Sequence, residues 1–391
     1  MTFAITLLDP TSHRAIAPVC ARDHGATLAS MATAATRRHP ADGADPDVRG
    51  RSYDALLVVS FGGPEGPDDV MPFLENVTRG RNIPRERLLD VAHHYELFAG
   101  VSPINAQNRA LIDALEHELG AHGIELPIYF GNRNWHPFLA DTLREMRDAG
   151  IRSSLAFFTS AFSSYSGCRQ YREDLYRAQE AVGPDSPEVF KLRTFFNHPG
   201  FVEANADRVR EAVARIPAER RAHARLVFTA HSIPVAMAER CRYSEQLGET
   251  SALVAAAAGF PSHSVVYQSR SGPPSVPGLE PDVCDEIGRL AGAGARDVVI
   301  SPVGFVSDHI EVLYDLDHEA VEAGEQAGVS LWRAGTAGTH PAFVAMIREL
   351  IEERLDASVE RRAAGRFGPS GDSCAPGCCL PGTARPSPWD A

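Results

Sequence analysis

The sequence predicts an α/β protein made of two similar, doubly wound parallel sheets of the Rossmann-like kind. A short apolar, β-branched run, a loop rich in Gly, Ser or Pro, and an amphipathic helical stretch follow one another six times along the chain. Such alternation is typical of parallel strands joined by helices. The length of 391 residues also exceeds what one ordinary core accommodates, which favours two domains.

The six predicted strands divide into two sets of three. The first set is ALLVVSF from residue 55, LPIYFG from 126 and SSLAFFTS from 153. The second set is ARLVFTA from 224, HSVVYQS from 263 and DVVISPV from 297. Between the sets, TFFNHPGFVEANADRVREAVARI has the pattern of a turn followed by a helix, which suits a crossing between the two domains.

These patterns place the first α/β domain at residues 53–195 and the second at 196–339. A helix at 340–360 is expected to pack back on the first domain. Residues 361–391, rich in Gly, Ser, Pro and Cys, are expected to form a tail that cannot build a core alone. Residues 1–52 have the pattern of neither a secretory signal nor a transit peptide and are expected to be a disordered extension, with translation starting at Met1 or Met31.

The composition excludes several classes of partner. A formal net charge of −13 argues against nucleic acid or an anionic membrane surface. No apolar stretch reaches the roughly 18 to 20 residues that a membrane span needs, so we expect no transmembrane segment and a cytoplasmic location. Seven cysteines, an odd number in so long a chain, argue against a disulfide framework.

Chemistry is expected in the loops that follow the strands, because ligands of open α/β sheets bind outside the carboxyl ends of the strands. A cleft between the two domains is the natural place for such a site. One of these loops, FGGPEG from residue 61, is interpreted as a Gly-Pro turn. It matches neither of the common glycine-rich phosphate motifs and contains no lysine.

His231 and the segment SDHIEVLYDLDHE, residues 307–319, are the strongest candidates for a site. His231 directly follows a predicted strand. On a helix, Asp308, Glu311 and Asp315 would share one face. From the residues alone, this face is either solvated or half of a metal site. One imidazole and one carboxylate would hold a borderline divalent metal such as Fe²⁺ loosely, which suits transfer rather than storage.

Five segments of the chain resemble the ferrochelatases, which insert iron into a porphyrin. They lie in order between Tyr53 and Leu355 and read LLVVSFGGPEGPDDVMPFLENVTRGRNIP, YELFAGVSPINAQN, FSSYSGCRQYRED, VFTAHSIP and GFVSDHIEVLYDLD. The resemblance implies the chelatase fold, with two similar parallel α/β domains and the porphyrin in the cleft between them. It also implies porphyrin and ferrous iron as substrates, release of two protons, and transient contact with other enzymes of the haem pathway.

The resemblance assigns roles to individual residues. His231 and Glu311 match the catalytic, iron-binding positions, and Asp308 and Asp315 would continue them as a relay for protons or iron. Phe61 stands where some relatives carry a Tyr, so no phenolate can reach the iron from there. The porphyrin-binding positions are Phe61, Arg79, Arg81, His94, Tyr95, Ser102 and Tyr171.

The porphyrin is expected to be coproporphyrin III, as in actinobacterial-type ferrochelatases, giving Fe-coproporphyrin III (coprohaem). Polar ENVTRGRNIP occupies the place of the apolar lip of membrane-associated relatives, which suits a substrate with four propionates. Three alternatives remain open: a protoporphyrin IX ferrochelatase, another tetrapyrrole metal chelatase, and a non-catalytic carrier of tetrapyrrole or iron–sulfur cluster.

Cysteines near the C-terminus suggest a second group. Cys374, Cys378 and Cys379 are one short of the four thiolates that a [2Fe–2S] cluster takes, and Cys168 is a candidate for the fourth. Some ferrochelatases show a similar arrangement, and the resemblance therefore implies an iron–sulfur cofactor. Without it, three such cysteines would more often be ordinary thiols of a tail. Cys20, Cys241 and Cys284 are interpreted as ordinary thiols.

Overall fold

The computed structural model describes residues 49–80, 83–270, 275–374 and 377–382. The predicted N-terminal extension, except for its last four residues, lies outside the described residues, as do Cys20 and the predicted porphyrin contact Arg81.

Two four-stranded sheets, parallel throughout, form the framework of the described chain. The first contains β1 (Ala55–Ser60), β2 (Ile128–Asn132), β3 (Ser153–Phe158) and β4 (Glu188–Lys191), in the order β2-β1-β3-β4. The second contains β5 (Arg225–His231), β6 (Ser264–Gln268), β7 (Asp297–Ser301) and β8 (Ser330–Arg333), in the order β6-β5-β7-β8. The matching strand orders confirm the prediction of two similar doubly wound sheets.

All six predicted strands are present, and the sequence analysis missed β4 and β8. Both are four-residue strands at a sheet edge, and both are only partly buried along their length. Their sequences, EVFK and SLWR, lack the continuous apolar run of a central strand, so only the pairing with β3 and β7 identifies them.

Helices connect the strands and cover both faces of each sheet. In the first half they are α1 (Pro67–Val77), α2 (Arg85–Glu96), α3 (Ile104–Ala121), α4 (Leu139–Asp148), a π-helical turn at Tyr165–Arg169, and α5 (Gln170–Val182). From there on they are α6 (Pro199–Ala214), a 3₁₀ turn at Arg221–His223, α7 (Val235–Ala238), α8 (Tyr243–Ala258), α9 (Val283–Gly292), α10 (Ile310–Val312), a π-helical stretch at Leu313–Glu319, α11 (Ala320–Ala327) and α12 (Pro341–Leu355).

One continuous core joins the inner faces of the two sheets. Phe157 of β3 and Phe228 of β5 belong to it, together with residues of α3, α6, α8 and α12. Separate clusters cover the outer faces, with α4 and α5 on the first sheet and α9 and α11 on the second. Burial on both faces explains why the central strands are apolar throughout, and each such Leu or Phe contributes about 1.5–3 kcal/mol by leaving water.

Helix α12 follows the second sheet in the chain but packs against α3 and α6. Gly200 of α6 permits a close crossing, because a Cβ there would lie 2.5 Å from the carbonyl oxygen of Ala342. Beyond α12 the chain also folds onto the body. Buried Arg193 pairs with Glu353 at 2.7 Å and donates to the carbonyl oxygen of Arg362 at 2.8 Å. The start of the C-terminal segment is therefore held by buried hydrogen bonds.

Candidate active site

His231 is the last residue of β5 and lies at the carboxyl edge of the second sheet. About 28% of its side chain is exposed. The Tyr243 hydroxyl donates to the carbonyl oxygen of His231 at 3.0 Å, which ties α8 to the strand end. Burial lowers the pKa of the imidazole to about 4. At neutral pH the ring is therefore uncharged and keeps a lone pair for a proton or a metal.

Glu311 faces His231 from the neighbouring loop and helix after β7. Its Oε2 lies 3.8 Å from Nδ1 of His231, which is too long for a direct hydrogen bond, and 55% of its side chain is exposed. Gly304 allows this loop to cross β5 closely, because a Cβ there would lie 2.5 Å from the Cβ of Ala230. The imidazole and the carboxylate thus stand opposite each other and both can engage a third group.

Asp308 does not share a helix face with Glu311, and that part of the sequence interpretation is wrong. Helix α10 begins at Ile310 with His309 as its N-cap, so Asp308 lies in the preceding loop. Its carboxylate pairs with Arg333 at 3.0 Å and accepts a hydrogen bond from Gln107 at 3.3 Å. Helical periodicity cannot reveal where a helix starts, and no capping side chain marks this start.

Asp315 lies on the π-helical stretch Leu313–Glu319, whose wide turns are frequent at functional sites. The Ser269 hydroxyl donates to its Oδ2, and the Gln268 amide donates to the same atom at 3.4 Å. Burial, followed by the nearby charge of Glu311, raises the pKa of the Asp315 carboxyl to about 8. At pH 7 this carboxyl is therefore largely protonated.

His309 lies beside the facing pair. Its ring contacts the ring of Phe305 at a centroid distance of 5.1 Å. Burial lowers the pKa of its imidazole, and the nearby Glu311 carboxylate opposes this shift in part. Both imidazoles at this edge of the sheet are therefore uncharged at neutral pH.

The predicted porphyrin contacts occupy two different environments. Phe61 is 36% exposed, Arg79 is exposed, and the His94 ring stacks on Tyr314 at 3.8 Å between centroids. Tyr95, Ser102 and Tyr171 are instead at least 92% buried, so they form the walls behind the exposed surface. The sequence alone offered no way to separate these two groups.

Arg133 belongs to this region and was not singled out from the sequence. Its guanidinium lies 4.4 Å from the ring centroid of Tyr171 and 5.7 Å from that of Phe61, and it pairs with Asp174 at 2.6 Å. Only 4% of its side chain is exposed. Arg133 directly follows β2, but nothing in the sequence pattern indicated that this arginine is buried next to Phe61.

The FGGPEG loop is a closely packed turn, in agreement with its interpretation as a Gly-Pro turn. Gly62 has a φ of 84°, and a Cβ there would lie 2.9 Å from the Cβ of Asn132. A Cβ on Gly63 would lie 2.7 Å from that of Ser102, and the Asn105 amide donates to the Gly63 carbonyl oxygen at 3.2 Å. Buried amide and hydroxyl groups thus fix the position of this loop in the first half.

Four thiols from distant parts of the chain lie together. Cys168, in the first π-helical turn, is in hydrogen-bond contact with Cys374, which contacts Cys378. The sulfurs of Cys378 and Cys379 are 3.4 Å apart. Arg169 donates to the carbonyl oxygen of Cys378 at 3.3 Å, which ties the C-terminal segment to the start of α5. The predicted set of four cysteines is therefore brought together.

Among the described residues, the His, Cys, Asp and Glu side chains include no group of three or more spaced for a single metal ion. None of the described helices has the length and apolar character needed to cross a membrane.

Comparison with known proteins places the chain in one family. The family model described as Ferrochelatase matches residues 53–355. A ferrochelatase of Rhodopirellula baltica is 57% identical over 85% of this chain and 95% of its own. A coproporphyrin III ferrochelatase of Mycolicibacterium vanbaalenii is 54% identical over 84% of this chain and 98% of its own.

Among solved structures, SirB from Bacillus subtilis with Fe³⁺ aligns over 78% of this chain and 99% of its own, with 14% identity and a TM-score of 0.49, too distant to bear on function. The match to the family model, which covers the strands of both sheets, and the identity to these relatives over most of their length are decisive. The chain belongs to the ferrochelatase family.

Proposed function

We propose that this protein inserts Fe²⁺ into coproporphyrin III, releases two protons, and yields Fe-coproporphyrin III for haem biosynthesis. The observation that carries the proposal is the facing pair of His231 and Glu311 at the carboxyl edge of the second sheet. The choice of porphyrin is supported by the relatives named coproporphyrin III ferrochelatase, at 54% identity.

The pair matches the chemistry that metal insertion requires. A free-base porphyrin carries two pyrrole N–H protons, and both must leave as the two nitrogens bind Fe²⁺. His231 is uncharged at neutral pH and can accept a proton from the macrocycle. The resulting imidazolium would face the Glu311 carboxylate, which stabilises the charge and can pass the proton to water because over half of it is exposed. Two such transfers balance one insertion.

We assign Asp308 and Asp315 supporting roles rather than the relay expected from the sequence. The carboxylate of Asp308 is already engaged by Arg333 and Gln107. Asp315 carries a proton at neutral pH and would have to release it before acting as a base. Its neutral state also relieves repulsion with Glu311, and this leaves Glu311 as the exit for protons.

For the porphyrin we propose contact with the exposed members of the predicted set. Phe61 would pack against the macrocycle, supported from below by Arg133. Arg79 would pair with a propionate, since a guanidinium can bind both carboxylate oxygens. Arg81 keeps its predicted role, and Tyr95, Ser102 and Tyr171 would shape the walls. Helix α2 and the loop after it also expose Leu89, Leu97 and Val101, so this rim is more apolar than the ENVTRGRNIP segment suggested.

We further propose that Cys168, Cys374, Cys378 and Cys379 hold a [2Fe–2S] cluster. Support comes from the contacts among four thiols that are up to 211 positions apart in the sequence. Because a [2Fe–2S] cluster takes its ligands in pairs on two irons, it does not require a group arranged around one ion. When bound, the cluster would supply a one-electron redox centre and would cross-link the C-terminal segment to the first half.

The residues around the four thiols suit the negative charge of the thiolates that would hold the cluster. The pKa of the Cys374 thiol is lowered first by hydrogen bonding with Cys168 and Cys378, and then by the positive charges of Lys191 and Arg172. A cytoplasmic location is part of the proposal, because a reducing compartment keeps thiols available as cluster ligands.

Iron insertion into two porphyrins, measured for the wild type and three variants, tests the enzymatic proposal. Insertion of Fe²⁺ into coproporphyrin III and protoporphyrin IX is measured for the wild type, His231→Ala and Glu311→Gln, with Glu322→Gln as an exposed control. We expect preference for coproporphyrin III and a loss of 100-fold or more in each site variant, roughly the worth of a general base, with porphyrin still bound. Site variants that insert iron at the wild-type rate would indicate a carrier instead.

The cluster proposal is tested on protein purified without oxygen. Visible absorbance and electron paramagnetic resonance are expected to show a [2Fe–2S] signal in the wild type and none in Cys168→Ser. Cys284→Ser, a thiol on α9, serves as the control. A signal that survives in Cys168→Ser would rule out the four-cysteine assignment.

A further inference from the structure

The loop that leads to Glu311, in the second half of the chain, is hydrogen-bonded by Gln107 of the first half. Gln107 lies in the first turn of α3. Its Oε1 accepts a hydrogen bond from the backbone N–H of Asp308 at 2.8 Å, and its Nε2 donates to Oδ2 of Asp308 at 3.3 Å. The two residues are 201 positions apart, so this double contact joins the first half of the chain to the second.

The second half holds the other oxygen of the same carboxylate. Arg333, at the end of β8, donates from Nη1 to Oδ1 of Asp308 at 3.0 Å and from Nε to Asp317 at 2.6 Å. The Asp308 side chain is only 14% exposed. Loss of the Gln107 amide would leave a partly buried N–H and a carboxylate oxygen without that partner, and this cost favours displacement of the loop.

Other contacts place the whole Glu311 segment on the first half. Ile310 is buried in the cluster formed by α1 and α2. Tyr314 stacks on His94 of α2 at 3.8 Å between centroids, with the rings nearly parallel. His231, by contrast, is fixed to the central strand of the second sheet. The spacing of 3.8 Å between the imidazole and the carboxylate therefore depends on how this segment is seated against α2 and α3.

We propose that Gln107 is a positioning residue, which seats the Asp308 loop on the first half and so keeps Glu311 opposite His231 while a porphyrin occupies the cleft. The inference rests on the proposed iron insertion and goes beyond it by naming a residue that touches neither iron nor His231. Only an amide satisfies both of its partners, because it accepts from the N–H and donates to the carboxylate. A glutamate would accept from the N–H but repel the carboxylate, and a methionine would do neither.

The first test compares Gln107→Met and Gln107→Glu with Gln179→Met. Gln179 is a matched control, since it is a half-buried helix residue whose amide donates to the Pro187 carbonyl oxygen at 2.8 Å, outside the cleft. We expect kcat for iron insertion to fall roughly tenfold in Gln107→Met, as for a misplaced catalytic group. The KM for porphyrin should change less than about twofold, because misplacement of the reacting groups affects the chemical step.

Gln107→Glu adds a second measurement, the pH dependence of kcat, which a merely structural role of Gln107 would not change. Its kcat, as a ratio to wild type, should rise as the pH is lowered, because protonation of the introduced carboxyl removes its repulsion with Asp308. The ratio for Gln107→Met should stay flat. If the ratio of kcat in Gln107→Glu to kcat in the wild type does not depend on pH, the proposal is overturned. This outcome can be read even when Gln107→Met fails to fold.

Binding of Co²⁺ alone tests the geometry without any insertion. If His231 and Glu311 bind this ion, its visible spectrum should change in Gln107→Met and remain as in the wild type in Gln179→Met. A wild-type protein that inserts no iron refutes the proposed function. An active wild type whose kcat and Co²⁺ spectrum are both unaltered in Gln107→Met refutes the positioning role alone.

Discussion

Replacement of Asp315 by Asn is expected to remove a proton that the folded protein binds and the unfolded chain does not. Burial raises the pKa of this carboxyl from 3.8 to about 8. At pH 7, about ten molecules carry the protonated acid for each one that carries the carboxylate. Asn has nearly the same shape and is neutral at every pH, so it mimics the state that dominates in the wild type.

The sign of the effect on stability follows from the direction of the pKa shift. A folded carboxyl with a raised pKa keeps its proton at pH values where the unfolded chain has lost it. Its stabilising contribution is therefore complete below about pH 4 and is lost as the pH rises through the folded pKa. One proton corresponds to about 1.4 kcal/mol of unfolding free energy per pH unit across that window.

The measurement is chemical unfolding of the wild type and Asp315→Asn between pH 5 and pH 9. The difference between their unfolding free energies should change by about 1.4 kcal/mol per pH unit up to the folded pKa and then level off. Exposed Asp285→Asn is the control and should run parallel to the wild type. Infrared spectra at pH 7 should show a protonated carboxyl band that is absent from Asp315→Asn.

The same variant tests the assignment of Glu311 as the proton exit. Iron insertion at pH 7 should stay within about threefold of the wild type, because the carboxyl being replaced is already neutral. Parallel stability curves for the wild type and Asp315→Asn, or a missing infrared band, would refute the reasoning about burial. A large loss of kcat at pH 7 would instead restore Asp315 as a relay.

Three further outcomes are expected. Gly304→Ala should lower kcat for iron insertion at least tenfold. The added Cβ would lie 2.5 Å from that of Ala230 and push the Glu311 loop away. Unchanged kinetics would contradict that close approach. Phe61→Tyr should fold normally, because this ring is 36% exposed, and should change the absorbance of bound iron porphyrin if the new phenol reaches the metal. Glu353→Gln should destabilise the protein by about 3 kcal/mol in chemical unfolding, because Arg193 would stay buried without its charged partner; a change below about 1 kcal/mol would show that the amide suffices.

The six central strands were predictable because each is buried on both faces and therefore reads as an unbroken apolar run. The position of His231 followed from that reading, since the residue after such a run lies at the strand end. Strands β4 and β8 were not predictable in this way, because their partly buried residues show no apolar run and only the neighbouring strand defines them.

Within the site, the sequence indicated which residues carry suitable chemistry but not how they are oriented. Asp308 and Asp315 looked equivalent on a helix face. The structure places the first in a loop between Gln107 and Arg333, and buries the second against Ser269 with its pKa raised. These differences arise from contacts with residues up to 201 positions away, which local periodicity does not encode.

The sequence by itself determined the fold class and the central strands and placed His231 at a strand end, because burial and strand ends leave local patterns, whereas the role of Glu311 came from the resemblance to the ferrochelatases. The tertiary structure alone decided which acids are charged, which arginine turns inward and which glutamine spans the cleft. It also brought Cys168 to the C-terminal thiols. The physical reason is that desolvation and hydrogen bonding between distant segments set charge and position, and both depend on packing that forms only when the two halves meet.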